Sequence, residues 1–218
     1  MQSKIAVIHS VEELSRHISA RLNGTDAVVV GVCGMAGSGK TTLCNKMIDT
    51  LPLNAVRLDC DQFSSRSYAQ RQTLIEDATK SGIPQQIEFA ENPKHWYCFK
   101  DIIAALHDLK TNRIHIHDRA WNRQTGELTG RYRIALAGDG PSVILCDCIY
   151  LLHPPIRAEL DIAIMVETPE ELVTERGLQR SKGDVSRAAY MERLRQRYTV
   201  PYFQALRDQV DIAYQTHV

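Results

Sequence analysis

The chain has 218 residues with 26 basic and 26 acidic side chains, so its formal net charge at pH 7 is zero. No global positive field draws it to nucleic acid or to an anionic membrane, and no apolar run nears the roughly 18 residues that span a bilayer. Hydrophobic residues at 44% and charged residues at 24% are the usage of a folded globular chain of about one α/β domain. The six cysteines form no C-x-x-C pair and no zinc spacing, and residues 1–6 lack the basic-then-apolar pattern of a leader. A reduced, cytoplasmic setting is expected.

In chain order, Val11, Leu14, Ile18 and Leu22 recur at helical spacing and predict a helix over 11–22, with Asn23-Gly24 as its stop. The run AVVVGVC over 27–33 is continuously apolar, as in a parallel strand buried on both faces. A glycine-rich loop follows, then a helix over 40–51 ended by Pro52. A second strand is expected over 55–58, leading into Asp59-Cys60-Asp61. Residues 65–80 and 94–109 read as helices separated by a loop with Pro84 and Pro93, and RIHIH over 113–117 alternates like a strand. Residues 119–137 read as an extended excursion turning at Thr125-Gly126, hairpin-like in outline, and a turn is marked at 138–141. Strands over 142–148 and 161–167, helices over 169–180 and 187–207, and a short strand over 210–214 complete the chain. This alternation predicts one α/β domain over 1–218: a three-layer sandwich with a mainly parallel sheet and helices on both faces.

The chemistry is concentrated in Gly34-Met35-Ala36-Gly37-Ser38-Gly39-Lys40-Thr41, a full match to G-x-x-x-x-G-K-[ST] between a strand and a helix. Glycines let the backbone wrap phosphate with its N–H groups, and the helix that follows adds its positive N-terminal end. In such a loop Lys40 reaches the β- and γ-phosphates of ATP, and the Thr41 hydroxyl ligates Mg²⁺. Asp147, ending an apolar strand, is placed to serve as the second Mg²⁺-side carboxylate. Asp59 and Asp61 follow the second strand at the same end of the sheet, where a carboxylate can take a proton from an attacking hydroxyl or help hold Mg²⁺; a turn or cap role is the alternative. His115 and His117 share one face of their strand beside Asp118, without the further ligands of a metal site.

The order Gly34 to Thr42, Asp61-Gln62-Phe63, the excursion after His117-Asp118, Asp147 and an arginine-bearing helix resembles the uridine kinase and phosphoribulokinase family. That family includes uridine–cytidine kinases, bacterial pantothenate kinase and phosphoribulokinase. The resemblance implies that Asp61 is the base acting on the acceptor hydroxyl, that the substrate-side hairpin (119–137) opens with His117-Asp118, and that a lid spans 171–187. It also implies lid arginines near the transferring phosphate, which match Arg176 and Arg180, and an F-D-F-type ribose-binding element. That last element is replaced here by Tyr97-Cys98-Phe99, and a thiol cannot supply the acceptor pair that a ribose diol favours. Trp96, Trp121, Asn122 and Arg123 are candidates to line an acceptor pocket.

The expected activity is ATP- and Mg²⁺-dependent phosphorylation of a hydroxyl on a small molecule. Lys40, Asp61 and Arg176 are its catalytic candidates; residues 34–42 with Arg180 bind nucleotide, Thr41 and Asp147 bind metal, and Asp61, His117, Asp118 and Arg123 contact substrate. A nucleoside kinase is the family's own alternative, and a P-loop regulator or ATPase without kinase activity is the alternative of another class. No N/T-K-x-D guanine motif or L-S-G-G-Q signature occurs. The expected partner is a small molecule, not nucleic acid or membrane, and the sequence leaves self-association open.

Overall fold

The computed structural model describes residues 5–22 and 25–216. The elements run β1 (Ala6–Ile8), α1 (Val11–Arg21), β2 (Ala27–Cys33), α2 (Lys40–Thr50), β3 (Asn54–Asp59), α3 (Tyr68–Ser81), α4 (Pro84–Glu91) and α5 (Phe99–Asn112). They continue with β4 (Ile114–Ala120), β5 (Gly130–Ala135), β6 (Ser142–Asp147), β7 (Ile162–Glu167), α6 (Glu170–Arg180), α7 (Val185–Leu194), α8 (Val200–Ala205) and β8 (Ile212–Gln215). Six strands form one sheet in the order β1-β8-β7-β2-β6-β3, and every neighbouring pair in it is parallel. The antiparallel pair β4–β5 stands apart as a hairpin.

Alternation along the central strands explains the three layers. Val28, Val30 and Val32 of β2, Val143 and Leu145 of β6, and Ile162 and Ile164 of β7 face a core completed by α1 and α2. Val29, Cys33, Ile144, Cys146 and Ala163 point the other way, into a core with Ile102, Leu106 and Leu109 of α5 and Phe203 of α8. Strands buried on both faces need apolar residues at every position, which is the pattern of 27–33 and 143–146.

Several boundaries differ from the sequence expectation, each for a local reason. The stop expected at Asn23-Gly24 lies outside the described residues. β1 was hidden in a three-residue strand whose pairing with β8 is its main support. Pro84 starts a helix instead of marking a loop, because at the first helical position its missing N–H costs nothing. α3 begins at Tyr68 because Ser67 and Gln70 form a reciprocal capping box. The helix expected over 94–109 begins at Phe99: Pro93–Trp96 is a 3-10 turn and Tyr97 is extended, bridged to Ser64. The helix expected over 187–207 is interrupted by a π-turn at Arg195–Thr199, where Val200 N–H reaches back to the Arg195 carbonyl. Pro201 has no N–H to offer and crowds the preceding turn, so the ladder widens there.

Leu106 has no exposed surface and sits between α5 and the sheet. Leu106→Ala is expected to lower the unfolding free energy by about 2–5 kcal/mol. Val185→Ala, at a side chain 72% exposed, should change it by less than about 0.5 kcal/mol. Urea titrations of the two variants measure both.

Candidate functional site

Parallel register builds the site. Asp147 is the Cα partner of Val32 on one side and of Asp59 on the other, so the ends of β2, β6 and β3 lie abreast. The glycine-rich loop leaves β2 at this edge and closes into α2. Gly34, Gly37 and Gly39 adopt φ of 142°, 91° and 93°, a region that side-chain-bearing residues rarely enter. A Cβ on Gly34 would lie 2.6 Å from the Val166 carbonyl oxygen and 2.8 Å from Ser38 Oγ. The loop is pinned from outside as well, since Thr168 Oγ1 donates to the Ser38 carbonyl at 2.8 Å.

Lys40 folds back into this loop, its Nζ donating to the carbonyls of Gly34 at 3.1 Å and Met35 at 3.0 Å. Burial pushes its ammonium below the ordinary range, and the carboxylates of Asp147 and Asp61 oppose that shift. Thr41 Oγ1 donates to Asp147 Oδ2 at 2.7 Å, and Arg57 Nη1 donates to the same oxygen at 2.9 Å. The buried hydroxyl of Ser38 has no partner among the described residues. A cradle that a Cβ would fill, an orphaned hydroxyl inside it, and a hydroxyl–carboxylate pair at its edge fit a nucleotide polyphosphate with Mg²⁺.

Beside the loop, a cleft of about 460 Å³ is lined by Gly37, Gly39, Thr42, Arg176, Arg180 and Tyr214 among others. Arg176 Nη1 donates to the Gly37 carbonyl at 2.9 Å, which ties α6 to the loop. Ala36 faces elsewhere, into an apolar groove of about 330 Å³ beneath α6 and α7.

Past the end of β3, a pocket of about 220 Å³ holds Asp61, Arg71, Trp96, Tyr97, Trp121 and Arg123. Tyr97 Oη donates to Asp61 Oδ1 at 3.2 Å. Arg123 Nη2 contacts Asp59 Oδ2 at 3.1 Å and Asp61 Oδ2 at 3.5 Å. Asp59 caps the 3-10 turn that carries Asp61, accepting its backbone N–H at 3.1 Å. The Asp61 side chain keeps 58% of its surface open, yet the pocket walls thin the water around it. That desolvation, reinforced by the charge of Asp59 and opposed by Arg123, raises the carboxyl above its usual range.

The structure therefore brings Lys40, Thr41, Asp147, Asp61, Arg123 and Arg176 to one end of the sheet. It does not bring His117 and Asp118 into the Asp61 pocket. His117 stacks on Phe63 with ring centroids 4.6 Å apart, and Asp118 pairs with Arg131 at 3.0 Å on the surface. Strand alternation is the reason: His115 and His117 share the face that covers Phe63, and His115 bonds Asp108 at 2.7 Å. Among the described residues no cluster of three or more His, Cys, Asp or Glu side chains is arranged to hold a metal. Cys98 and Asp101 also lie outside the pocket walls; Tyr97 takes the place facing Asp61. Asn122 is spent on its own turn, its Oδ1 accepting the N–H of Gln124 at 2.9 Å.

Sequence reasoning passed over Arg57, Arg71 and Thr168. An arginine inside a strand or an amphipathic helix reads as a solvated charge until its partner is known, and a lone threonine after a strand carries no signal until its hydroxyl is seen to meet the loop. For the loop itself, Gly34→Ala is expected to weaken ATP binding by about 10-fold or more, since its Cβ meets backbone rather than a movable side chain. Isothermal titration with ATP measures it.

The comparisons with known proteins agree with this architecture. Among solved structures, a proposed fructose transport system kinase from Silicibacter sp. TM1040 is 20% identical at TM-score 0.60, covering 95% of this chain and 100% of its own. A proposed uridine kinase from Bacillus stearothermophilus is 15% identical at TM-score 0.63, covering 94% and 96%. Phosphoribulokinase from Rhodobacter spheroides is 13% identical at TM-score 0.57, covering 87% and 70%. At these identities the likeness establishes a shared P-loop kinase fold. No curated protein sequence matches the chain. Among the described residues no helix is long and apolar enough to cross a membrane. The profile of the "Phosphoribulokinase / Uridine kinase family" matches residues 29–200, most of the chain, and the protein belongs to that family.

Proposed function

We propose that the protein transfers the γ-phosphoryl group of Mg·ATP to a hydroxyl of a small-molecule acceptor. The observation that carries this reading is the opposition, across one sheet edge, of the phosphate loop with its Thr41–Asp147 pair and the Asp61 pocket. In this reading residues 34–42 hold the polyphosphate, with Arg180 at the cleft wall. Thr41 and Asp147 hold Mg²⁺, which supplies charge neutralisation at the phosphate oxygens when bound.

Asp61 orients the acceptor hydroxyl and takes its proton as the oxygen–phosphorus bond forms; the bond to the β–γ bridging oxygen breaks and its electron pair leaves on ADP. Tyr97 and Arg123 fix the Asp61 carboxylate, one on each oxygen. Lys40 and Arg176 place positive charge where negative charge builds up. We assign the lid role to α6 and the turn into α7: Leu178 and Val185 are exposed there and line the same apolar groove as Ala36 of the loop. The hairpin β4–β5 supports the acceptor side through Tyr132, whose Oη donates to the Arg57 carbonyl and accepts the Asp59 N–H, both at 3.2 Å.

Lys40→Ala should reduce kcat by several powers of ten with the fold retained, checked by coupled ADP release and circular dichroism. Asp61→Asn should depress kcat severely with ATP affinity unchanged. Asp59→Asn should do less, since its bonds go to Arg123 and the turn. The reverse order of rates would move the base to Asp59.

The pH profile gives a separate check with a fixed sign. The accepting form of Asp61 is the carboxylate, so activity is lost as pH falls through its value, which lies above the ordinary 3.8. Arg123→Met should move this acid limb to higher pH, and Asp59→Asn should move it to lower pH. A limb unmoved by either variant would exclude Asp61 as the titrating group.

A further inference from the structure

The acceptor pocket contains a cation that its own protein does not neutralise. Arg71, on α3, places its guanidinium carbon 4.3 Å from the Trp96 ring centroid and 5.3 Å from that of Trp121. One Nη2 hydrogen goes to Ser64 Oγ at 3.0 Å. Its Nε is buried without a partner, and among the described residues no carboxylate oxygen lies within 4.0 Å of the group. Two arginines nearby, Arg57 and Arg123, are by contrast each paired, Arg57 with Asp147 at 2.9 Å and Arg123 with Asp59 at 3.1 Å.

Two aromatic faces hold the guanidinium plane in place and offset part of its desolvation. They cannot satisfy its in-plane N–H groups, which want oxygen acceptors in a fork. The tryptophans are themselves fixed. Trp96 Nε1 donates to the Ala90 carbonyl at 3.1 Å, and the backbone N–H of Trp121 donates to the Gln62 carbonyl at 3.0 Å. The result is a rigid, positively charged wall in the pocket that also contains Asp61. Asp61 would act on a hydroxyl, so the group left for Arg71 is at another position of the same acceptor.

Resting on the kinase reading above, we propose that the acceptor is an anionic alcohol, a hydroxy acid or a phosphorylated polyol, whose carboxylate or phosphate is held in a fork by Arg71 between Trp96 and Trp121. A neutral nucleoside brings no charge to this wall and leaves the guanidinium unpaired. Arg71 is then the residue that sets acceptor class, while Asp61 sets reaction type.

Trp96 and Trp121 are the chain's two tryptophans, so emission excited selectively at tryptophan, beyond the absorption of the eight tyrosines, reports on this site. The protein is first saturated with Mg·ADP to fill the phosphate loop. It is then titrated with D-glycerate, pantothenate and ribulose 5-phosphate, and with their uncharged partners glycerol, pantothenol and ribulose. The expected result is a saturable emission change with at least one anion, at a Kd about 10-fold or more below that of its neutral partner. Which anion responds separates the carboxylate from the phosphate. In Arg71→Met that change should weaken by about 10-fold or more with ADP affinity unaltered. Equal responses to charged and neutral partners, no response to any of the six, or an undiminished response in Arg71→Met overturns the proposal. Should Arg71→Met not fold, the wild-type comparison decides. ADP release from Mg·ATP keeps the two readings apart. Emission changes without acceptor-dependent ADP release uphold the anion site and remove the kinase reading. ADP release driven by uridine or glycerol in preference to the anions upholds the kinase and removes the anion proposal.

Discussion

The side-by-side register of β3, β6 and β2 is the constraint on which the rest of the site depends. In a parallel sheet all carboxyl ends fall at one edge, so the loop after β2, the acid ending β6 and the acids after β3 converge without long-range correction. Side chains alternate along a strand, so a slip of one residue would turn Asp147 from the edge of the loop into a hydrophobic layer. What prevents the slip is burial on both faces: Val28, Val29, Val30, Val32 and Cys33 of β2 and residues 143–146 of β6 each have a slot in one of two cores. Core packing and site geometry are therefore one requirement. The glycine loop can hold its costly φ values because Thr168 at the end of β7 and Arg176 on α6 bond its carbonyls from outside.

That edge gathers Asp59, Asp61 and Asp147, whose mutual repulsion would open it if they stood alone. Arg57 spans the first gap, 2.9 Å from Asp147 and 3.7 Å from Asp59, and Arg123 spans the second, between Asp59 and Asp61. The two bridges differ in kind. Arg57 is mostly covered and anchored in β3, so it fixes the carboxylate geometry. Arg123 is 63% exposed on the hairpin loop, so water screens its contribution to stability, and its effect falls mainly on the charge felt by Asp61. A net charge of zero over the whole chain thus conceals a strongly charged local arrangement.

The fold was legible wherever one strand or helix carried a complete pattern. The runs at 27–33, 142–148 and 161–167 needed no partner to be recognised, and the phosphate loop declared itself through residue types at fixed spacing. β1 was not legible, because three residues hold no period and its partner β8 lies far away in sequence. The ends of α3 and α5 depended on a capping box and on a bridge between Ser64 and Tyr97, both of them contacts rather than propensities. On the substrate side the sequence named Asp61, Trp96, Trp121 and Arg123 as candidates, and the structure gathers these in one pocket. It missed Arg71, because nothing in a helix sequence tells which arginine will lack a carboxylate. It assigned substrate contacts to His117 and Asp118 by position in the hairpin, whereas stacking on Phe63 and pairing with Arg131 occupy those side chains.

Pro201 shows how far one backbone constraint can reach into the site. Its missing N–H widens the preceding turn into the π-turn at Arg195–Thr199, and the wider turn brings Tyr198 and Thr199 inward together. Thr199 meets the Tyr150 hydroxyl at 2.7 Å, and Tyr150 forms part of the wall of both the acceptor pocket and the apolar groove beneath α6 and α7. Tyr198 donates to Glu91 at 3.2 Å, beside Arg197 at 3.1 Å and Arg193 at 3.4 Å. Glu91 is a buried carboxylate at the end of α4, so this cluster fastens the acceptor-side helices to α7. Adjacent on the π-turn, Tyr198 and Thr199 reach two different partners, Glu91 and Tyr150. The π-turn thereby holds Tyr150 in place between the Asp61 pocket and the groove beneath α6 and α7. In the kinase reading proposed above, the spacing of pocket and groove governs the reach from a hydroxyl at Asp61 to a phosphate at Lys40.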